Sequence, residues 1–407
     1  MATHNPQRIV ELLRDHLAAH DKQLLFLFGA GTSSSVNTAP APAPGVRPVH
    51  LPLIPALDPM TAECKVAVDA LSAEHGRAWT ALAAECGALS LMPHIENMLG
   101  RIRLKIDAAG PGDHVLGLTK DQLETFERAI REAIVRMSSP EEDKIPSRLP
   151  HDDFAAWVRH ARRKHPVEIF TTNYDVLIER SLERARVPVF DGFVGSYAPY
   201  FSPDAIESDA SMPGYEWSRV WKVHGSVNWD VRQGSIVRTT GSCAGEMILP
   251  SHRKYDESRK LPYRALIDRL ARSVVREGSL LITCGYSWSD EHINAVILAS
   301  LDTHPANHAI ALVYPELEQL PHLCTLASKR ENLVVVGPGE GILKRTRARW
   351  ALPHQIDDAT ASFVDIAFDS DALPEDVAGP VPGAMRLGDF NRFCRFLVAM
   401  DAPGRGA

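Results

Sequence analysis

LLFLFGAGTS, residues 24–33, decides the fold. Five apolar residues, Leu24–Phe28, run straight into Gly29-Ala30-Gly31-Thr32-Ser33. An apolar run without alternation reads as a strand buried on both faces, as in a parallel sheet covered by helices. The glycines read as a tight turn that lets backbone approach a pyrophosphate, with exposed amides as donors to it. As a dinucleotide fingerprint the stretch is incomplete. Ser34 stands where a third glycine would fall, and no acidic residue follows at the usual distance to hold an adenosine ribose. No Gly-Lys-Ser/Thr follows, so it is not a phosphate loop of the nucleoside-triphosphatase kind. Taken alone, the stretch is compatible with nucleotide binding and with a merely tight strand–helix turn.

Five further runs repeat the pattern. Val167–Phe170 precedes Thr171-Thr172-Asn173, and Val220–Val223 precedes His224-Gly225-Ser226. Leu280–Cys284 precedes Gly285-Tyr286-Ser287, Ala309–Val313 precedes Tyr314-Pro315, and Leu333–Val336 precedes Gly337-Pro338-Gly339. Stretches of helical period lie between them, clearest at Asp175–Arg186 and at Ser289–Leu301, the second with Ser289 as its expected N-cap. The alternation predicts an α/β fold with a Rossmann-like, doubly wound parallel sheet. Ligands of such sheets sit outside the carboxyl ends of the strands, so the polar residues closing the six runs are the candidate site.

About 140 residues separate the first two runs, far more than one crossover needs. Thr38 to Pro59 is rich in Pro and Ala and reads as an extended loop. Amphipathic stretches follow at Ala62–Glu74, Ala78–Cys86, Ile95–Ala108 and Lys120–Met137, which predict a helical insertion. Gly192–Tyr215 and Val231–Leu261 read as a second pair of insertions. Pro353–Val381 looks acidic and irregular, and Asp389–Ala399 reads as a closing helix. The expected organisation is a sheet domain over 1–37 and 151–345, a helical insertion over 38–150, and a C-terminal extension over 346–407.

The 407 residues are 45% hydrophobic and 23% charged, with a net charge of −7, which argues against a large nucleic-acid-binding face. None of the six cysteines forms a CxxC pair, so no zinc ribbon or redox motif is visible. The first 20 residues lack the apolar core of a signal peptide, and no segment has the roughly 18 apolar residues that span a bilayer. The expectation is a cytoplasmic protein with no membrane contact.

Each candidate residue has a structural reading beside the functional one. Asn173 is either a turn residue or an amide that orients a ribose hydroxyl or a water. Asp175 is either a helix cap or a site residue. His224 is one of 17 histidines, but it follows a buried run and precedes a glycine. That places an imidazole at the crevice, where it can serve as a general base near neutral pH. Gly285 and Ser287 suit close approach of a ligand, and Asp290 suits a helix start equally well.

The ordered set GAGTS, TTNYD, KVHGS and GYS resembles the sirtuin superfamily, and is most similar to its bacterial sirtuin-like branch of NAD-depleting anti-phage defence proteins. The resemblance covers Gln23–Leu301, with His94-Ile95-Glu96 as a weaker element. It implies that Gly29, Ala30, Gly31, Thr32, Ser33 and Thr172 line the NAD site and that Asn173 and His224 are catalytic. It also implies that Asp175 lies near the nicotinamide end, and that Gly285, Ser287 and Asp290 contact the cofactor. The paired CxxC motifs that hold zinc in protein-deacylating sirtuins are missing, and Cys243 stands alone in that region. Thr172 also replaces the glutamine of the QNID motif.

Both departures favour a zinc-less NAD glycohydrolase, with NAD as substrate and no metal, over a protein deacylase. A non-catalytic module sensing NAD or ADP-ribose remains a further alternative. The resemblance also implies homo-oligomerisation and control by a partner such as a HerA-type ATPase or an Argonaute-like protein. The insertion, Arg8–Leu17 and the C-terminal tail are candidate contact surfaces.

Overall fold

The computed structural model describes residues 3–40, 49–89, 91–241, 262–372 and 378–401. Six parallel strands form the centre, in the order Leu333–Val336, His308–Leu312, Leu280–Cys284, Leu24–Phe28, Glu168–Thr171 and Ser218–Lys222. Their register aligns Val336, Leu312, Cys284, Phe28, Thr171 and Lys222 in one row. The residues that follow all six strands therefore emerge along one edge. The order in which strands are added reverses between the parallel neighbours Leu24–Phe28 and Leu280–Cys284, which continue to opposite sides of the sheet. A crevice opens at such a switch point.

Successive strand residues point to opposite faces, and two cores result. Leu24, Phe26 and Phe28 face one core with Ile9, Leu13, Phe154 and Phe393. Leu25 and Leu27 face the other with Leu266, Leu270, Ile293 and Ile297. Helices Pro6–Ala18, Pro150–His160 and Phe390–Asp401 thus cover one face, and Tyr263–Val274 and Glu291–Thr303 the other. Phe154 meets Phe26 and Phe28 edge-on, each at 5.1 Å between centroids. Such pairs add about 0.5–1.5 kcal/mol each beyond their area burial.

The sheet is mostly rather than wholly parallel. Beyond Leu333–Val336 it continues through Glu340–Leu343, Thr346–Leu352, Val381–Met385 and Phe368–Ser370, all paired antiparallel. The expectation of an irregular Pro353–Val381 is corrected here. Asp358–Ala367 is a helix whose N-cap, Asp357, accepts from the Ala359 amide at 3.0 Å. Two of the segment's acidic residues, Asp357 and Asp358, sit at the helix start, where the helix dipole favours them. The closing helix runs Phe390–Asp401.

Helices Leu57–Asp69, Ala73–Ala88, Ile95–Ala108 and Lys120–Ser138 lie along the chain between strands Leu24–Phe28 and Glu168–Thr171. They bury Cys64, Trp79, Leu82, Phe126 and Ile130 in a third core, which also takes in Tyr174, Leu177 and Val227 beside the strand ends. Phe193–Val194, Tyr200–Phe201, Ser235–Arg238 and Trp229–Arg232 form a small antiparallel sheet from the second pair of insertions. Residues 242–261, including Cys243, lie outside the described residues, as do 41–48 of the Pro/Ala-rich loop.

His151, in the helix Pro150–His160, is 2% exposed against the Phe390 ring. Burial pushes its pKa down to about 4, although Asp175 and Asp152 pull it upward. The unfolded chain binds this proton below about pH 6.5, whereas the folded chain resists it until about pH 4. Stability is therefore full above about 6.5, falls as pH drops towards 4, and flattens below, a loss on the order of 3 kcal/mol. Denaturant midpoints measured from pH 7.5 to 4 are expected to fall less steeply in His151→Leu. Equal slopes in both proteins would contradict this.

Candidate active site

The Gly-rich turn and the turn after Leu280–Cys284 pack back to back. Gly285 has φ +66°, and a Cβ there would lie 2.5 Å from the Thr32 nitrogen and 2.8 Å from the Gly31 Cα. A Cβ on Gly31 would lie 2.6 Å from the Gly285 Cα. Backbone bonds join the two turns, Gly31 N–H to the Gly285 carbonyl at 3.0 Å and Gly29 N–H to Cys284 at 3.2 Å. The close approach that these glycines permit is thus first of all an approach of the two turns to each other. Ala30 is exposed beside them.

Asn173 is held by the residues that end the same turn. Its Nδ2 donates to Thr32 Oγ1 at 3.0 Å and to Ser33 Oγ at 2.8 Å. Each hydroxyl can only accept here, because each spends its own hydrogen elsewhere. Thr32 Oγ1 donates to the Gly29 carbonyl at 2.9 Å, and Ser33 Oγ to Asp175 Oδ2 at 2.7 Å. That chain of donors fixes the flip of the amide and turns Oδ1 the other way. Among the described residues Oδ1 accepts no hydrogen bond. Asp175, 5% exposed, takes the Leu177 amide on Oδ1 at 3.0 Å, so both its carboxylate oxygens are engaged. The helix therefore starts at Leu177 and runs to Arg184, shorter at both ends than expected. Thr172, half-buried, donates its amide to the Phe28 carbonyl at 3.0 Å and locks this turn to the first strand.

His224 follows the neighbouring strand and is 5% exposed. Its Nε2 lies 3.1 Å from Asp290 Oδ2. Asp290 also caps helix Glu291–Thr303, its Oδ1 accepting from His292 N–H at 2.9 Å and Ile293 N–H at 3.1 Å. This corrects the expectation of Ser289 as N-cap. Trp288, at φ +58°, turns the chain so that Ser289 stays outside the helix, its Oγ 2.6 Å from that of Ser287. Burial pushes the Asp290 carboxyl upward, but His224 and the two helix amides outweigh it and hold the group below its usual range. Ser287 is exposed and stands apart from the Asn173 network.

The Asn173 and His224 turns are stitched together. Val223 N–H bonds the Thr171 carbonyl at 3.0 Å, and Val227 N–H bonds that of Tyr174 at 2.9 Å. Gly225, at φ +85°, makes the bend between them.

Two features escape a sequence reading. Lys222, 3% exposed, turns its ammonium to the Asp175 carbonyl and to Glu179 Oε1 at 3.2 Å. Burial pushes the Glu179 carboxyl above its usual range, and Lys222 only partly offsets this. A lysine closing an apolar run was the available signal, since a buried charge needs a partner. The second feature is the segment before the last helix. Met385 N–H bonds the Pro338 carbonyl at 2.9 Å, and Asn391 Nδ2 bonds that of Ser35 at 3.2 Å. A Cβ on Gly388 would lie 2.1 Å from the Val313 oxygen. Residues 385–391 thus run beside the strand ends from Leu333–Val336 to Leu24–Phe28.

Among the described residues, no group of three or more His, Cys, Asp or Glu is arranged to hold a metal ion. No helix among them is long and apolar enough to cross a membrane. No curated protein matches the chain. Residues 167–334, less than half of it, match the family model of the SIR2-like domain. Asn173, Asp175, His224, Gly285 and Asp290 all fall inside the matched segment. The chain therefore carries a region similar to the SIR2-like domain, a sirtuin-type domain that uses NAD.

Proposed function

We propose that the protein hydrolyses NAD at the nicotinamide–ribose bond. The C1′–N bond breaks, its electron pair stays on the nicotinamide nitrogen, and nicotinamide leaves as a neutral molecule. A water oxygen bonds to C1′, and the water's proton passes to His224. The balance is NAD⁺ and water to nicotinamide, ADP-ribose and a proton. The protein's contribution is to position the sugar and one nucleophile while keeping bulk water away.

The observation that carries this reading is the fixed amide of Asn173. Both amide hydrogens are committed to Thr32 and Ser33, which leaves Oδ1 as an oriented acceptor for the attacking water or a ribose hydroxyl. An imidazole on the adjacent strand end supplies the base, and a positioned base contributes about 10²–10⁴-fold. Asn173 and His224 are the catalytic pair of this proposal. Gly29–Ser33, Thr172, Gly285 and Ser287 form the NAD cradle around them. As the sequence resemblance implies, such an enzyme serves anti-phage defence by depleting cellular NAD. Its activity is then held in check by homo-oligomeric assembly and by a partner such as a HerA-type ATPase or an Argonaute-like protein.

Asn173→Ala tests the proposal. Nicotinamide release is expected to fall at least about 10²-fold, the scale of losing one oriented polar group at a reacting centre. A folded Asn173→Ala protein releasing nicotinamide at the wild-type rate would show the assignment to be wrong.

A further inference from the structure

We infer that Asp290 is a positioning residue of this site, whose carboxylate fixes His224 in the tautomer that accepts the proton at Nδ1. The inference rests on the reading of His224 as the general base. It follows from how each carboxylate oxygen is spent. Oδ1 is tied to two amides at the start of helix Glu291–Thr303, and Oδ2 meets His224 Nε2 at 3.1 Å. The side chain cannot turn away from the imidazole without uncapping the helix.

An ionised carboxylate only accepts hydrogen bonds, so the imidazole nitrogen facing it carries the hydrogen. In the neutral ring the acceptor is then Nδ1. When Nδ1 takes a proton from water, the imidazolium forms beside a negative charge that stabilises it. Nothing needs to reorganise during that step, because the helix start already holds the carboxylate.

Other ionisable groups face the pair. The Tyr286 hydroxyl donates to the Asp290 carbonyl at 3.4 Å and to Asn294 Oδ1 at 3.0 Å. The Tyr263 ring centre lies 6.3 Å from that of His224. Lys222, two residues before His224, is turned to Asp175 and Glu179. Asp290 is the group whose carboxylate meets Nε2.

Asp290→Asn separates the roles. Asn caps helices as well as Asp does, so its Oδ1 keeps the two amides and its Nδ2 is presented to the imidazole. A donor facing Nε2 forces the hydrogen onto Nδ1, the nitrogen that must accept. The expected result is a fall in kcat of about 10²–10⁴-fold. KM should stay within about threefold, because the lost interaction belongs to the transition state. The acid limb of the kcat–pH profile should move to lower pH. Long-range ¹H–¹⁵N correlation spectra of the imidazole, assigned with His224→Ala, supply a readout independent of turnover. Nε2–H is expected in the wild type at neutral pH and Nδ1–H in Asp290→Asn. Nδ1–H in the wild type, or an unchanged kcat and pH profile in the variant, would overturn the inference. A wild-type protein that releases no nicotinamide but shows the tautomer switch would sink the proposed reaction while leaving the His224–Asp290 assignment standing.

Discussion

His224→Ala is expected to slow nicotinamide release by about 10²–10⁴-fold, the contribution of a placed general base. The fold should survive. Truncation leaves Asp290 Oδ1 on the His292 and Ile293 amides, so the helix keeps its cap. The stitching bonds from Val223 and Val227 are made by backbone. A stability loss of roughly 1 kcal/mol, ordinary for a point substitution, is expected. Circular dichroism and thermal melting check the fold, and steady-state nicotinamide release checks the chemistry. Wild-type turnover in a folded variant would mean that another group takes the proton.

Glu168→Ala is expected to act in the opposite way, through stability and not through the site. Glu168 opens its strand at the amino edge of the sheet, away from the strand ends where Asn173 and His224 lie, and it is fully buried. Oε1 accepts from Arg269 Nη2 at 2.7 Å, Gln23 Nε2 at 3.0 Å and Arg219 Nη1 at 3.4 Å. Oε2 accepts from Trp221 Nε1 at 2.8 Å, Arg269 Nε at 3.1 Å and Ser273 Oγ at 3.1 Å. Arg269 and Arg219 are 1% and 4% exposed. Removing the carboxylate strands two buried guanidinium groups, with half-exposed Asp209 as their remaining carboxylate partner. Leaving a buried charge unpaired costs about 3–5 kcal/mol. Denaturant titration should show that loss, whereas nicotinamide release per folded molecule should match the wild type. A loss below about 1 kcal/mol, the range of an exposed ion pair, would contradict this account of the network.

The parallel core was legible because each central strand is buried on both faces and must be apolar throughout. LLFLF, LLITC and LVVV say so without help. Their boundaries were less legible. The strands begin at Ser218 and Glu168, polar residues whose burial depends on partners that no local pattern announces. Glu168 needs Arg269, 101 positions away. The antiparallel extension was hidden for a related reason. Thr346–Leu352 pairs with Val381–Met385, across the intervening helix, and Pro382, Gly383 and Asp369 blunt the apolar signal of its outer strands.

The candidate site divides in the same way. The turns after the strands marked where Asn173, His224 and Gly285 would stand, because ligand position follows from sheet topology. What each side chain touches was not readable. Asp290 lies 66 positions from His224 and Ser33 lies 142 from Asp175, and only the folded sheet brings them together. Ser289 was the expected cap on sequence, and with Trp288 at φ +58° the helix takes Asp290 instead.

The most direct measurement is chromatography of NAD incubated with the purified wild-type protein and with His224→Ala, each with and without an acylated peptide. The account predicts nicotinamide and ADP-ribose in equal amounts from the wild type, whether or not peptide is present, and intact NAD from His224→Ala. NAD surviving intact with the wild type, or O-acyl-ADP-ribose formed only when peptide is supplied, would contradict it.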